Sequence, residues 1–115
     1  MSNREEVQKF LYDFNVLANV FDIIVIDTEK NLQALLDLGI TAKIRKEIIM
    51  DLKVENYFQG PNKDRDRPQF DVWEFGYKFN DNYEIYIKLS TRKDKSRCIC
   101  LSFHRAEHKI IYPYV

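Results

Sequence analysis

The 115-residue sequence holds no apolar run able to cross a bilayer. Its longest uninterrupted aliphatic stretch is IIVI, 23–26, far short of the ~20 residues a spanning helix needs. No basic-then-apolar leader opens it, so the expectation is a cytoplasmic protein with no membrane partner. Cysteine is scarce: Cys98 and Cys100 are the whole supply. Two apart on a strand, they point to one face with poor geometry for a mutual disulfide. A zinc site joining them to His104 and His108 would lack the second cysteine pair such sites usually carry. Neither a metal nor a cofactor is therefore expected. Internal repeats and low-complexity tracts are missing too, and one domain over 1–115 is the natural reading at this length.

Net charge is zero, with 18 basic and 18 acidic residues, but the two signs are unevenly spread. Residues 1–60 carry seven Lys and Arg against ten Asp and Glu, whereas 61–115 carry eleven against eight. Within 86–105 the bases Lys88, Arg92, Lys93, Lys95, Arg97 and Arg105 face Asp94 alone. Such a stripe can contact phosphate, although charge runs also serve simply as solvated loops.

Periodicity divides the chain. Ser2-Asn3-Arg4-Glu5 has the form of a capping box, and Val7, Phe10, Leu11, Phe14, Leu17, Ala18 and Phe21 then trace one face of a helix over about 4–19. DIIVID, 22–27, is short and β-branched and predicts a strand. Thr28 can cap a second helix with Leu32, Leu35 and Leu36 inward, ended by Gly39. Thr41 can cap a third with Ile44, Ile48, Ile49 and Leu52 inward. GPNKDRDRPQ, 60–69, reads as an exposed loop between a helix-rich part, 1–59, and a strand-rich remainder. From residue 70 the period becomes two. FDVWEFGYKF, YEIYIKLS and RCICLSFH alternate and are joined by short turns, which predicts an antiparallel meander over 70–104 and leaves 105–115 as a tail. The apolar face (Trp73, Phe75, Tyr77, Phe79; Tyr83, Ile85, Ile87, Leu89; Ile99, Leu101, Phe103) should be covered by the helices. The predicted class is α+β, with N-terminal helices packed on one face of a C-terminal antiparallel sheet.

Alternation assigns the remaining strand residues to the opposite face: Val72, Glu74, Gly76 and Lys78, then Glu84, Tyr86, Lys88 and Ser90, then Cys98, Cys100, Ser102 and His104. The plain alternative is a solvated face held by Glu–Lys pairs. Gly76, which weakens a strand interior unless something approaches closely, and His104, at a strand end beside a hydroxyl, argue for more. A carboxylate, a phenol, an amine and an imidazole suit cleavage of a phosphodiester whose own 2′-OH is the nucleophile. That reaction needs a base, cations at the crowded phosphorus and an acid for the departing 5′-oxygen. Base stacking falls to Tyr57, Phe58 or Tyr86. A non-catalytic RNA- or protein-binding module using the same face is the competing reading.

The element order together with NYFQGP, VWEFGY, YIKLS and ICLSFH resembles the MqsR-type toxins of bacterial toxin–antitoxin modules, over roughly residues 5–105. The resemblance implies a RelE-like, microbial-RNase-like fold and a small endoribonuclease that cleaves mRNA, free or on the ribosome, without a metal. It also implies a cognate antitoxin as partner. On this resemblance Tyr86 stands at the family's catalytic tyrosine, His104 at a strand-end position usually held by lysine, and Glu74 where glutamine is usual. Gln59 replaces a lysine that contacts phosphate, so Lys88 or the loop residues Lys63 and Arg65 are the candidates for that contact. The catalytic set is thus His104, Lys88, Tyr86 and Glu74, with Gln59, Lys63, Arg65, Lys78, Arg92, Lys93, Lys95, Arg97 and Arg105 facing RNA.

Overall fold

In the computed structural model, which describes residues 1–92 and 96–115, helix α1 (Arg4–Phe21) begins at Asn3. The Asn3 side chain accepts from the Glu6 N–H, and the Glu6 carboxylate accepts in return from the Asn3 N–H. This capping box sits one residue later than Ser2–Glu5. Ser2 is instead buried, its hydroxyl donating to the Gly60 carbonyl at 3.0 Å. Val7, Phe10, Leu11, Phe14 and Ala18 form the buried stripe that their spacing predicts, while Phe21 is exposed. Strand β1 (Ile23–Val25) comes next, then α2 (Glu29–Leu38) and α3 (Ala42–Met50), capped by Thr28 and Thr41 as expected.

The inward faces of α2 and α3 depart from the leucine and isoleucine spacing. Helix α2 buries Asn31 and Ala34 and leaves Leu32 and Leu36 exposed; α3 buries Arg45, Ile48 and Ile49 and exposes Ile44. The reason for α2 lies in Asn31. Its Nδ2 donates to Ile26 O (2.8 Å) and Leu101 O (3.0 Å), and its Oδ1 accepts from Phe103 N (2.9 Å). One side chain thus takes the place of a neighbouring strand where β1 has run out. A buried strand edge left unpaired is costly, so this bonding outweighs turning an extra leucine inward.

A short 3-10 turn (Val54–Asn56) leads into β2 (Tyr57–Lys63), then β3 (Asp71–Asn80), β4 (Tyr83–Thr91) and β5 (Cys98–Arg105). The expected boundary at residue 60 fails here, because YFQGPNK is a strand. It lies at the sheet edge, where a proline costs no ladder hydrogen bond. Gly60 has φ +120°, and a Cβ there would meet Val72 O at 2.6 Å. The sheet order is β1-β5-β4-β3-β2, antiparallel except for the β1–β5 pair. The fold is α+β, and its sheet is mixed by virtue of that one parallel pair.

The principal core lies between the helices and the sheet, around Phe14, Phe75, Ile85, Ile87, Leu89 and Phe103, all fully buried. Trp73 packs against it, stacked on Phe10 with ring centroids 4.5 Å apart. Truncating Phe14 or Phe75 to alanine is expected to cost about 3–5 kcal/mol. Strand β5 breaks the expected alternation. Lys88 pairs with Ser102 but Leu89 with Cys100, so Leu101 is an extra residue, a bulge. Before the bulge Cys98 and Cys100 face the helices, and after it Phe103 does. Ile99 and Leu101 go to the other side, where they form a small second core with Val72, Ile26 and Phe70. The cysteines therefore do not share the polar face, contrary to simple alternation.

Candidate active site

On the sheet face away from the principal core, the register sets two rows across three strands. Glu74, Lys88 and Ser102 form one; Gly76, Tyr86 and His104 form the next. Glu74, Lys88, Ser102, Tyr86 and His104 floor a cleft of about 710 Å³. Its walls are the loop Asp64–Arg67, the start of α2 (Thr28, Glu29, Lys30) and the segment Ala106–Ile110. Across its mouth Lys30 pairs with Glu107 at 2.8 Å.

Glu74 is held on both oxygens. The Tyr86 hydroxyl donates to Oε1, and Gln59 Nε2 donates to Oε2 at 2.7 Å. Burial, with the adjacent Glu74 carboxylate, raises the Tyr86 pKa well above the ordinary phenol value, so Tyr86 is a neutral hydrogen-bond donor at pH 7. The Lys88 ammonium donates to Asp64 Oδ1 at 2.6 Å, with the two side chains 19% and 2% exposed. Burial alone would raise the Asp64 pKa. The Lys88 ammonium and the N–H groups of Arg67 and Asp66 outweigh it and hold that pKa below the usual carboxylate value. The same Asp64 side chain accepts from Arg67 N (2.9 Å), and Asp64 N donates to Phe70 O (2.9 Å), which closes the loop on itself. His104 is half-buried, its ring centroid 5.6 Å from that of Tyr86. Its Nδ1 lies 2.9 Å from the Arg105 carbonyl, an acceptor only, so this contact puts a hydrogen on Nδ1 and leaves Nε2 to face a ligand.

Gly76 has a different partner from the one its position suggests. A Cβ there would collide with the Tyr112 hydroxyl and meet Ile110 Cδ1 at 2.7 Å. The close approach is made by the chain's own tail. Tyr112 crosses the strand and donates to Glu84 Oε2 at 2.5 Å. Beyond it Tyr114 stacks on Tyr57 (5.7 Å), with Arg4 donating to the Tyr114 carbonyl at 2.9 Å.

Of the residues expected to act, Glu74, Tyr86, Lys88 and His104 meet in the cleft, joined by Gln59, Arg65, Phe58 and His108. Others do not. Lys63 is exposed at the end of β2, opposite Asp71. Lys78 pairs in register with Glu84 and, with Arg105, lines a neighbouring groove. Arg105 lies over the Tyr83 ring at 4.0 Å and donates to Asn82 O. Arg92 and Arg97 sit at the β4–β5 connection, the far end of β5 from His104, with Arg97 over Phe21 at 5.1 Å. Lys93 and Lys95 lie outside the described residues. The described members of the basic stripe, Lys88, Arg92, Arg97 and Arg105, are thus dispersed in space. Tyr57 is fully buried, so base stacking by Tyr57 is ruled out. Asp64, Arg67, Lys30 and Lys109 also line the cleft and escape sequence reasoning, since nothing local distinguishes them from solvated loop charges. Among the described residues no group of three His, Cys, Asp or Glu could hold a metal ion. The buried cysteines and His104 lie on opposite sides of the sheet.

No protein-family model matches the chain, and no curated protein matches it. Fold and site together define a small α+β protein with a carboxylate, a phenol, an ammonium and an imidazole grouped in one cleft. No described helix is long and apolar enough to cross a membrane.

Proposed function

We propose that the protein is a metal-independent endoribonuclease that cleaves mRNA by 2′-OH attack, the toxin of a bacterial toxin–antitoxin module. It would act in the cytoplasm and be restrained by a cognate antitoxin. The observation that carries the reading is the arrangement of Glu74 on β3 and His104 on β5 with Tyr86 and Lys88 on β4 between them. Base and acid lie two strand spacings apart across the sheet, roughly 9.6 Å, and in adjacent rows along it. An in-line displacement needs them on opposite sides of phosphorus, because the entering and leaving oxygens lie there. Glu74 takes the 2′-OH proton, and O2′ bonds to phosphorus as the P–O5′ bond breaks. His104, entering as the imidazolium, gives its Nε2 proton to O5′ while its Nδ1–H stays on the Arg105 carbonyl. The products are a 2′,3′-cyclic phosphate and a 5′-hydroxyl, with no water or oxidant consumed. A carboxylate has about four acceptor positions, so Glu74 can keep Gln59 and Tyr86 and still receive the substrate hydroxyl. Lys88 has three donors, of which Asp64 takes one, leaving two for the phosphorane oxygens.

Purified protein incubated with single-stranded mRNA in EDTA should yield cyclic-phosphate ends. His104→Ala and Glu74→Gln should each slow cleavage by about 10²–10⁴. Absence of cleavage with naked and ribosome-bound RNA alike would sink the enzymatic reading.

One observation favours a second reading, a non-catalytic binding module on the same face. The cleft is lined by as many acids (Glu29, Asp64, Asp66, Glu74, Glu107) as bases (Lys30, Arg65, Arg67, Lys88, Lys109), so its net charge does not by itself attract a polyanion. Capture of a protein or peptide on this face with neither RNA retention nor cleavage would select a protein-binding module, and RNA retention without cleavage, weakening steeply with salt, an RNA-binding one.

A further inference from the structure

Arg45 lies on the inward side of α3, 9% exposed, in the same turn as the core residues Ile48 and Ile49. Its Nη1 is shut off from solvent and has no hydrogen-bond partner among the described residues. None of the ion pairs among them includes it. This is an expensive arrangement: a buried charge is normally paired, and a guanidinium cannot escape by losing its proton. Against Arg45 lies a cavity of about 300 Å³, bounded by Asp22, Ile23 and Val25 on one side and by Ala42, Lys43, Lys46 and Ile49 of α3 on the other. Three cations therefore share it with one carboxylate. That carboxylate accepts from Lys46 (2.9 Å) and from Ile23 N (2.8 Å), both through Oδ1, and is not paired with Arg45. The cavity opens at the first turn of α3, the end of a helix that favours negative charge. It shares no residue with the cleft.

We infer that this cavity is a binding site for a compact oxyanion, a phosphate or carboxylate group that pairs with Arg45 and is flanked by Lys43 and Lys46. The missing partner of the guanidinium is then a ligand, and the site stands whether or not the cleft cleaves RNA. Both groups offer the planar or near-planar pair of oxygens that a guanidinium fork bonds best.

The test is thermal unfolding of the full chain at pH 7 in chloride, inorganic phosphate or acetate at matched ionic strength. One of the two oxyanions should stabilise the wild type saturably. At a concentration 100-fold above its dissociation constant the folded-to-unfolded ratio should rise by about 100-fold. Stabilisation by phosphate alone identifies a phosphoryl group as the natural occupant; stabilisation by acetate alone identifies a carboxylate. Arg45→Met should be at least as stable as the wild type in chloride, because it removes an unpaired buried charge, and should respond to neither anion. Arg45→Lys and Lys43→Ala carry the same test should the methionine variant fail to fold. Each should weaken anion binding by roughly tenfold, the equivalent of one charge-assisted hydrogen bond. The inference is overturned if neither anion stabilises the wild type beyond chloride. It is equally overturned if Arg45→Met folds but is less stable than the wild type in chloride, or if the variants bind the anion as tightly as the wild type.

Discussion

Replacing Asn31 with alanine tests whether a single side chain holds the β5 edge, and with it the cleft floor. The substitution removes three hydrogen bonds, to Ile26 O, Leu101 O and Phe103 N. Ile26 O keeps another donor in Thr28 N, but Leu101 O and Phe103 N lose their edge partner in a buried setting. Each orphaned group costs about 1–3 kcal/mol, and the better helix propensity of alanine returns roughly 0.5 kcal/mol. The expected net loss is about 3 kcal/mol. At an unfolding entropy of roughly 0.24 kcal/mol/K for a chain of this size, that lowers Tm by about 12 °C. Calorimetry measures the shift. Hydrogen exchange locates it, since the Phe103 amide should lose protection before the rest of the sheet. Asn31→Asp keeps the acceptor for Phe103 N, gives up both donations and buries a charge, so it should be no less damaging at pH 7. A Tm drop under about 4 °C with the Phe103 amide still protected would refute the claim that Asn31 substitutes for a strand.

Asp64→Asn should destabilise the protein by about 2–3 kcal/mol at pH 7, less than the full cost of breaking a buried pair because Lys88 still reaches solvent. The Asp64 pKa is lower folded than unfolded, so its contribution is present above about pH 4 and disappears as pH falls through the folded value. Urea titrations from pH 7 to pH 2 should therefore show wild type and variant converging in acid. Gly76→Ala should displace Tyr112 and break its bond to Glu84, a loss of about 1–2 kcal/mol after the gain from replacing a strand glycine. The same substitution in a Tyr112→Ala background should cost less, since only the contact with Ile110 Cδ1 remains, a double-mutant cycle readable by chemical denaturation. Burial pushes the Cys100 thiol up to about 12 and raises that of Cys98. Both should resist alkylation at pH 8 in the native protein and react only on unfolding, as mass spectrometry can record.

The helix starts were legible because capping is local: Thr28 and Thr41 act within four residues of themselves, and the Asn3 box is displaced by only one position. The shared face of Glu74, Tyr86, Lys88 and His104 was legible for a related reason, since alternation survives wherever pairing is regular. Where sequence reasoning failed, the deciding contact was distant in the chain. GPNK, 60–63, has the composition of a loop, and only its docking beside β3 makes it part of a strand. Leu32 and Leu36 yielded the inner face of α2 to Asn31 because the groups it satisfies lie about 70 residues away. Asp64 resembled its charged loop neighbours until Lys88, 24 residues on, came within 2.6 Å. Gly76 signalled correctly that something comes close to β3, but spacing alone could not identify it as Tyr112.

The extra residue at Leu101 divides β5 into two stretches with opposite phase. Cys98 and Cys100 answer to the helices beside the parallel neighbour, and past the bulge Ser102 and His104 answer to the chemistry of the cleft while Phe103 returns to the core. Variation can thus reshape one stretch without turning the other inside out. Ordinary strands lack that tolerance, because a single slip there inverts every side chain downstream.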